Sequence, residues 1–379
     1  MTKRILTLTL GLLALANAQA EGDLPFEVEA ITSFDEPWAL AFLPDGRMLV
    51  TEKKGNLLVV TQDGQKSRPV SGVPDVDYGG QGGLGDVVPH PDFAANGVVF
   101  LSYAEAGVGD TRGAAVVRAV LTLTARGGTL DDAKVIWRQY PKVVGYGHYG
   151  HRLAFDDAGY LWVTSGDRQK FTPAQDMQSN MGKVLRLNED GSAPRDNPFV
   201  AYREDNPLVD DIGVYDEIWS LGHRNPLGLA FDAAGRLWVI EMGPAGGDEL
   251  NLIVRAANYG YPAVSNGDHY DGREIPDHDT RPEFAKPAAS WTPVISPADV
   301  MIYRGGLFEG WRGQALAAGL SSRALVRIEL DGENAREIER YDMGARIRSV
   351  EEAPDGSIWV LEDERGDSRG RLLRLTPKD

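Results

Sequence analysis

Residues 38–50 read WALAFLPDGRMLV: an apolar run from Trp38 to Phe42, a turn at Asp45-Gly46, and a second apolar run at Met48-Leu49-Val50. The phrase returns as RLAFDDAGYLWV at 152–163, LAFDAAGRLWV at 229–239 and VEEAPDGSIWV at 350–360. Weaker copies lie at Asp86 to Phe93 with Asn96-Gly97 and Val98 to Leu101, and at Val300 to Tyr303 ahead of Leu316. Gly accepts positive φ without steric cost, so each turn closes a hairpin. A hairpin cannot bury both faces alone, and blades packed in a ring solve this without long exposed edges. Six copies therefore predict an all-β fold, a six-bladed β-propeller of four-stranded antiparallel blades, occupying residues 21–379 as one domain. The intervals 104–147, 168–216 and 262–295 read as long loops, with a further strand expected within Asn180 to Asn188. Long loops on a rigid scaffold commonly carry function.

The N-terminus has the parts of a secretory signal: Lys3 and Arg4, an apolar run from Ile5 to Ala18, and Ala18-Gln19-Ala20. Residues 1–20 are thus expected to be a signal peptide cleaved after Ala20, placing the protein in the periplasm or outside the cell. The apolar run falls short of the roughly 20 residues that span a bilayer, so no membrane span is expected. Cleavage removes Lys3 and Arg4 and lowers the formal net charge from −17 to about −19. Nucleic acid is a poor partner for such a chain, and an anionic ligand needs a local cationic pocket. There are no cysteines, which excludes disulfides, thiolate metal sites and cysteine nucleophiles.

Several unusual polar groups flank the repeated strands, where a propeller's loops converge on its channel. His148, in Tyr146 to Arg152, is a candidate general base, because neutral imidazole can take a hydroxyl proton near neutral pH. A capping or packing histidine fits the same position, and a zinc reading of His148 and His151 lacks a third ligand. Gly243-Pro244, beside Glu241, Asp248 and Glu249, offers backbone carbonyls suited to calcium, or is simply a tight turn. Arg346 and Arg348 stand at i and i+2, which on a strand puts both guanidinium groups on one face about 7 Å apart. They suit an anionic ligand with carboxylates, or a solvated strand face.

Taken together, these phrases resemble the soluble quinoprotein glucose dehydrogenases and aldose sugar dehydrogenases, from Trp38 to Leu375. The resemblance rests on Gly80-Gln81-Gly82-Gly83-Leu84-Gly85 with His90-Pro91-Asp92-Phe93, on His148 before Arg152-Leu153, and on Met181 to Gly191. It also rests on Gly222 to Phe231, Gly243-Pro244 with Asp248 to Ile253, Asn258-Tyr259-Gly260, and Arg346-Ile347-Arg348. It implies oxidation of aldose sugars at the anomeric carbon, with hydride passing to pyrroloquinoline quinone (PQQ) and onward to an external electron acceptor. His148 would be the base, Gln81 would stand beside the reacting centre, and Asp167 would orient His148 or neighbouring groups. Gln81, Arg224, Asn225, Tyr270, Arg346 and Arg348 would contact the cofactor. Calcium (Ca2+) would rest on the carbonyls of Gly243 and Pro244, and a second, structural calcium on Glu249 and the backbone of Tyr259.

Two departures stand out. Where the family places a lysine near the cofactor, this chain reads Gly319-Leu320-Ser321-Ser322-Arg323-Ala324, so Ser321 and Arg323 are the candidates there. Gly147 replaces the acid that glucose-specialised members carry, and the insert that shapes their sugar pocket is shortened, which points to the aldose dehydrogenase branch and a more open site. The competing readings are a calcium-dependent lactonase-type hydrolase and a non-catalytic binding propeller. A monomer or homodimer is expected.

Overall fold

The computed structural model describes residues 24–200 and 214–378, and the expected signal peptide at 1–20 lies outside them. Six antiparallel sheets form the blades. Their first strands are Pro37–Phe42, Leu84–Pro89, Gly150–Phe155, Pro226–Phe231, Pro297–Ile302 and Ile347–Glu352. Each of these touches the next, and the last touches the first, so the ring is closed and its axis is lined by the repeated apolar runs. Each is followed through its hairpin by an almost fully buried second strand, such as Leu161–Ser165 or Leu237–Glu241, which packs between blades. No helix among the described residues is long and apolar enough to cross a membrane.

The two ends of the chain meet in one sheet. Phe26–Ser33 pairs antiparallel with Arg371–Pro377 and becomes the outer strand of the sixth blade. Phe26 anchors it, meeting Phe308, Trp311 and Tyr341 edge-on with ring centroids 6.3, 6.1 and 5.2 Å away.

Two sequence expectations need correction. The interval 104–147 is not a loop: it holds the two longest strands, Arg112–Thr124 and Gly127–Arg138, the outer half of the second blade. Ala114 to Val117 is buried on both faces, so the polar alternation that marks a half-exposed strand is missing. The first blade has three regular strands, not four. Ser67 and Val70 still donate to the carbonyls of Val59 and Leu57 at 2.9 and 2.8 Å, but Pro69 between them has no N–H and interrupts the ladder. The interval 262–295 contributes only the short strands Gly267–Asp268 and Ala289–Trp291. The strand expected within 180–188 is present as Lys183–Leu187.

Every first strand carries a bulge near its start. The register slips between Pro37 and Ala39, between Leu84 and Val87, and opposite Val163 and Ser165 in the third blade. It slips again at Pro226/Gly228, Pro297/Asp299 and Ile347/Ser349. An extra residue re-aims side chains, here at one end of the channel in all six blades. Arg152, at one bulge, spans the axis. Its guanidinium donates to the carbonyls of Leu227 at 2.8 Å and of Ala298 at 2.7 Å. It reaches Arg348's carbonyl at 3.2 Å and Asp86 at 3.3 Å, and lies 4.0 Å from the Trp38 ring centroid. One side chain thus contacts all the other blades and plugs the channel beneath the bulges.

Candidate active site

In an antiparallel blade, the start of the first strand and the end of the second lie at the same edge, so loops entering and leaving these strands gather at one end of the channel. There they surround a cavity of about 730 Å³ whose walls include Trp38, Gln81, His151, Met242, Arg346 and Arg348. Trp38, Leu227 and Arg348 are the extra residues of their bulges, and His151 belongs to a fourth. The bulges thus supply the cavity wall. A second hollow of about 240 Å³, shared through Gln169, is bounded by His148, Phe171, Arg224, Pro244, Tyr261 and Tyr270. A third, of about 400 Å³, is continuous through Met242 and Ser296 and is lined by Gly243, Pro244 and Tyr270.

The structure brings His148, Asp167 and Gln81 together. Asp167 Oδ1 lies 2.7 Å from His148 Nδ1. The same carboxylate accepts the backbone N–H groups of Gln169 and Phe171 at 3.0 and 3.1 Å, so it acts only as an acceptor and His148 donates from Nδ1. That tautomer leaves the Nε2 lone pair free for a proton. Burial holds the imidazole below its ordinary pKa, and the Arg224 and Arg168 charges act the same way, while Asp167 opposes them. Gln81 accepts the His148 backbone N–H at 2.7 Å through Oε1, which turns its NH₂ toward the cavity it lines. Gly166 passes so close that a Cβ there would stand 2.2 Å from the His148 carbonyl oxygen.

Arg346 and Arg348 converge, though not as the flat strand predicts. Arg346 precedes the strand and Arg348 sits in its bulge, yet both reach Asp363: Arg346 Nε to Oδ2 at 2.8 Å and Arg348 Nη2 to Oδ1 at 3.0 Å. Burial pushes the Asp363 carboxyl up, but the Arg348 and Arg346 charges more than offset it and hold it below the usual range. Arg348 Nε is buried with no hydrogen-bond partner, as are Arg224 Nε and Asn225 Oδ1. Arg224 otherwise donates to the carbonyls of Met242 and Gly243 at 3.0 and 2.6 Å and reaches the Tyr270 hydroxyl at 3.3 Å. Tyr270, at 77% exposure, lies over this wall as an open flap.

The remaining candidates separate. Ser321 is exposed and donates to Ser296 Oγ at 2.7 Å, and neither it nor Arg323 lines the cavities. Arg323, at a left-handed φ of 55°, turns its guanidinium onto the Gly344 carbonyl instead of inward. Gly147 leaves room that Gln169 takes, since a Cβ at Gly147 would lie 2.5 Å from the Gln169 amide carbon. Glu249 and Tyr259 do meet, with Glu241, around a cavity of about 10 Å³, and Asn251 Oδ1 nearby is buried without a partner. Glu249 is buried, accepts from His278 at 3.2 Å, and is raised above the ordinary carboxyl value by that burial. No cluster of three or more His, Asp or Glu side chains suited to a metal occurs among the described residues, so a cation at 243–244 would rest chiefly on carbonyls.

Sequence reading missed Asp363, Arg152 and Arg168. A signal for the first existed. Glu52, Glu241 and Glu362 occupy the same place in three copies of the repeat, two residues after Val50, Val239 and Val360, so the ends of these strands were marked as sites for acids.

Residues 34–374 match the family model described as Glucose / Sorbosone dehydrogenase. The chain is 36% identical to the aldose sugar dehydrogenase YliI of Escherichia coli (strain K12), over 97% of both chains. It is 27% identical to quinoprotein glucose dehydrogenase B of Acinetobacter calcoaceticus, covering 89% of this chain and 85% of that one. Among solved structures, the PQQ-bound form of an aldose sugar dehydrogenase from Streptomyces coelicolor aligns with a TM-score of 0.74 and 28% identity, over 93% of this chain and 98% of that one.

Proposed function

Because this chain belongs to the Glucose / Sorbosone dehydrogenase family, we propose that it is a PQQ-dependent aldose dehydrogenase that oxidises the anomeric carbon of sugars to give lactones. The observation that carries the reading is the set of unpartnered buried groups at one opening: Arg348 Nε and Arg224 Nε beside the His148–Asp167 pair. An acidic protein that buries unsatisfied guanidinium donors in two adjoining hollows at one end of its channel is built for an anion. A tricarboxylate quinone fits these donors. Arg346 and Arg348 would hold its carboxylates, Arg224 and Asn225 would line its other edge, and Tyr270 would cover it. Bound there, PQQ would supply an electrophilic quinone as hydride acceptor, with calcium at the Gly243 and Pro244 carbonyls polarising it.

The chain's own part is positional and acid–base. His148 Nε2 takes the anomeric hydroxyl proton, and Asp167 fixes the ring and stabilises the imidazolium that forms. Gln81 holds the His148 backbone and points its amide donors at the sugar oxygen. The second hollow, with Phe171 and Tyr261 for walls, receives the sugar, and its open rim under Tyr270 favours broad aldose acceptance. Glu249 and the backbone of Tyr259, with Asn251 Oδ1, would hold a second calcium that stiffens the wall behind Arg224. Residues 1–20 support export to the periplasm.

The test is reconstitution of purified protein with PQQ and calcium, followed by dye reduction with glucose, maltose and other aldoses, with product analysis. Sugar-dependent reduction with lactone formation is expected. Hydrolysis of added lactones without dye reduction would instead establish the hydrolase reading.

A further inference from the structure

We propose that Arg168 is a positioning residue for His148, holding the base's loop through backbone carbonyls. The inference rests on the assignment of His148 as the base. Arg168 is 1% exposed, yet its hydrogen bonds run to carbonyl oxygens: Nε to Gly147 at 2.8 Å, Nη1 to Arg112 at 2.7 Å, and Nη2 to Gly145. Its own backbone N–H donates to the His148 carbonyl at 3.1 Å. The guanidinium also lies 3.8 Å from the centroid of the Tyr149 ring. One residue therefore grips the chain on both sides of His148 and ties it to the outer strand Arg112–Thr124 of the neighbouring blade.

Such a grip is needed because the local backbone is unfavourable. His148, Arg168, Gln169 and Phe171 all have left-handed φ values, 51°, 55°, 58° and 64°. Non-glycine residues persist there only when their surroundings over-determine them. A planar fork with five donors can satisfy several carbonyls at once, which a lysine ammonium on a flexible stem cannot reproduce. The Arg168 charge acts on the imidazole in the same sense as that of Arg224, against the Asp167 carboxylate at Nδ1, and Tyr261, His269, Tyr270, Asp271 and Arg273 line the hollow with it. Losing Arg168 therefore has two consequences, a looser base and an imidazole that protonates more readily.

The experiment compares Arg168→Met and Arg168→Lys with the parent. His148 titration is followed by imidazole NMR on protein without added cofactor, and steady-state dye reduction on PQQ- and calcium-loaded protein. In folded Arg168→Met the His148 midpoint should rise by on the order of half a pH unit. Its kcat should fall at least about tenfold with KM within about twofold. Arg168→Lys should keep the midpoint and recover part of kcat. A folded Met variant with parental midpoint and kcat overturns the proposal. If the Met variant does not fold, the Lys variant decides: kcat reduced at least about threefold at an unchanged midpoint supports it, and parental kcat overturns it. Absence of sugar oxidation in the parent would sink the dehydrogenase reading alone, because the titration still tests Arg168.

Discussion

Replacing Arg348 with Met keeps the stem that packs beside the bulge and removes only the guanidinium. In the cofactor-free protein that group gives Asp363 one bond, at 3.0 Å, while Arg346 gives it another at 2.8 Å. Asp363 therefore keeps a cationic partner in the variant, and the fold should survive. The loss falls on the ligand. Arg348 Nε, buried and without a partner, is the donor left over for an incoming carboxylate. A hydrogen bond to a charged group contributes roughly 1.5–3 kcal/mol, so PQQ should bind about 10- to 150-fold more weakly. Titrating PQQ into calcium-containing apoprotein, read by tryptophan fluorescence or recovered dye reduction, measures this directly. Saturating PQQ should restore most of kcat, since Arg348 in the proposed role holds the ligand and moves no proton. An affinity within twofold of the parent, in a variant of unchanged circular dichroism, would refute the assignment of these arginines to the anion.

Three further outcomes are expected. His148→Gln should lower turnover by about two or more orders of magnitude while PQQ affinity stays within a few-fold, measured by the same titration and by kcat. The midpoint of the acid limb of kcat/KM should lie below pH 6.5: the base must be neutral to accept a proton, and burial with the Arg224 and Arg168 charges holds it below its ordinary value, so activity is lost as pH falls through that lowered value. A limb at or above 6.5 would contradict this. Arg152→Met should destabilise the fold by roughly 3–5 kcal/mol in denaturant melts, because Asp86 and Asp299 lose the charge that compensates them in the channel.

The repeat was readable because each hairpin turn carries its own chemistry, Asp45-Gly46 or Asp355-Gly356, and each second strand its buried apolar triplet, such as Leu237-Trp238-Val239. Arg112–Thr124 and Gly127–Arg138 were not, since the buried first half of one has no reason to alternate and the other, an outer strand, is exposed or half-buried along most of its length. His148 and the Arg346/Arg348 pair stood out as polar groups at strand starts. Asp363 did not, because its meaning depends on partners 15 and 17 residues away in sequence. Arg152 and Arg168 were still less visible: Arg168 bonds carbonyls, which every residue has, and Arg152 bonds carbonyls and the distant Asp86, so only the folded path shows which partners are near. Arg323 misled for a related reason, as a left-handed backbone turn sent a suitable charge outward to Gly344.

The most direct measurement of the central claim is the anaerobic absorption spectrum of protein loaded with PQQ and calcium, before and after an aldose is added without dye. The account predicts conversion of the quinone band to the reduced form, one equivalent per chain, with one lactone released. A spectrum unchanged by sugar, with PQQ shown to be bound, would contradict it.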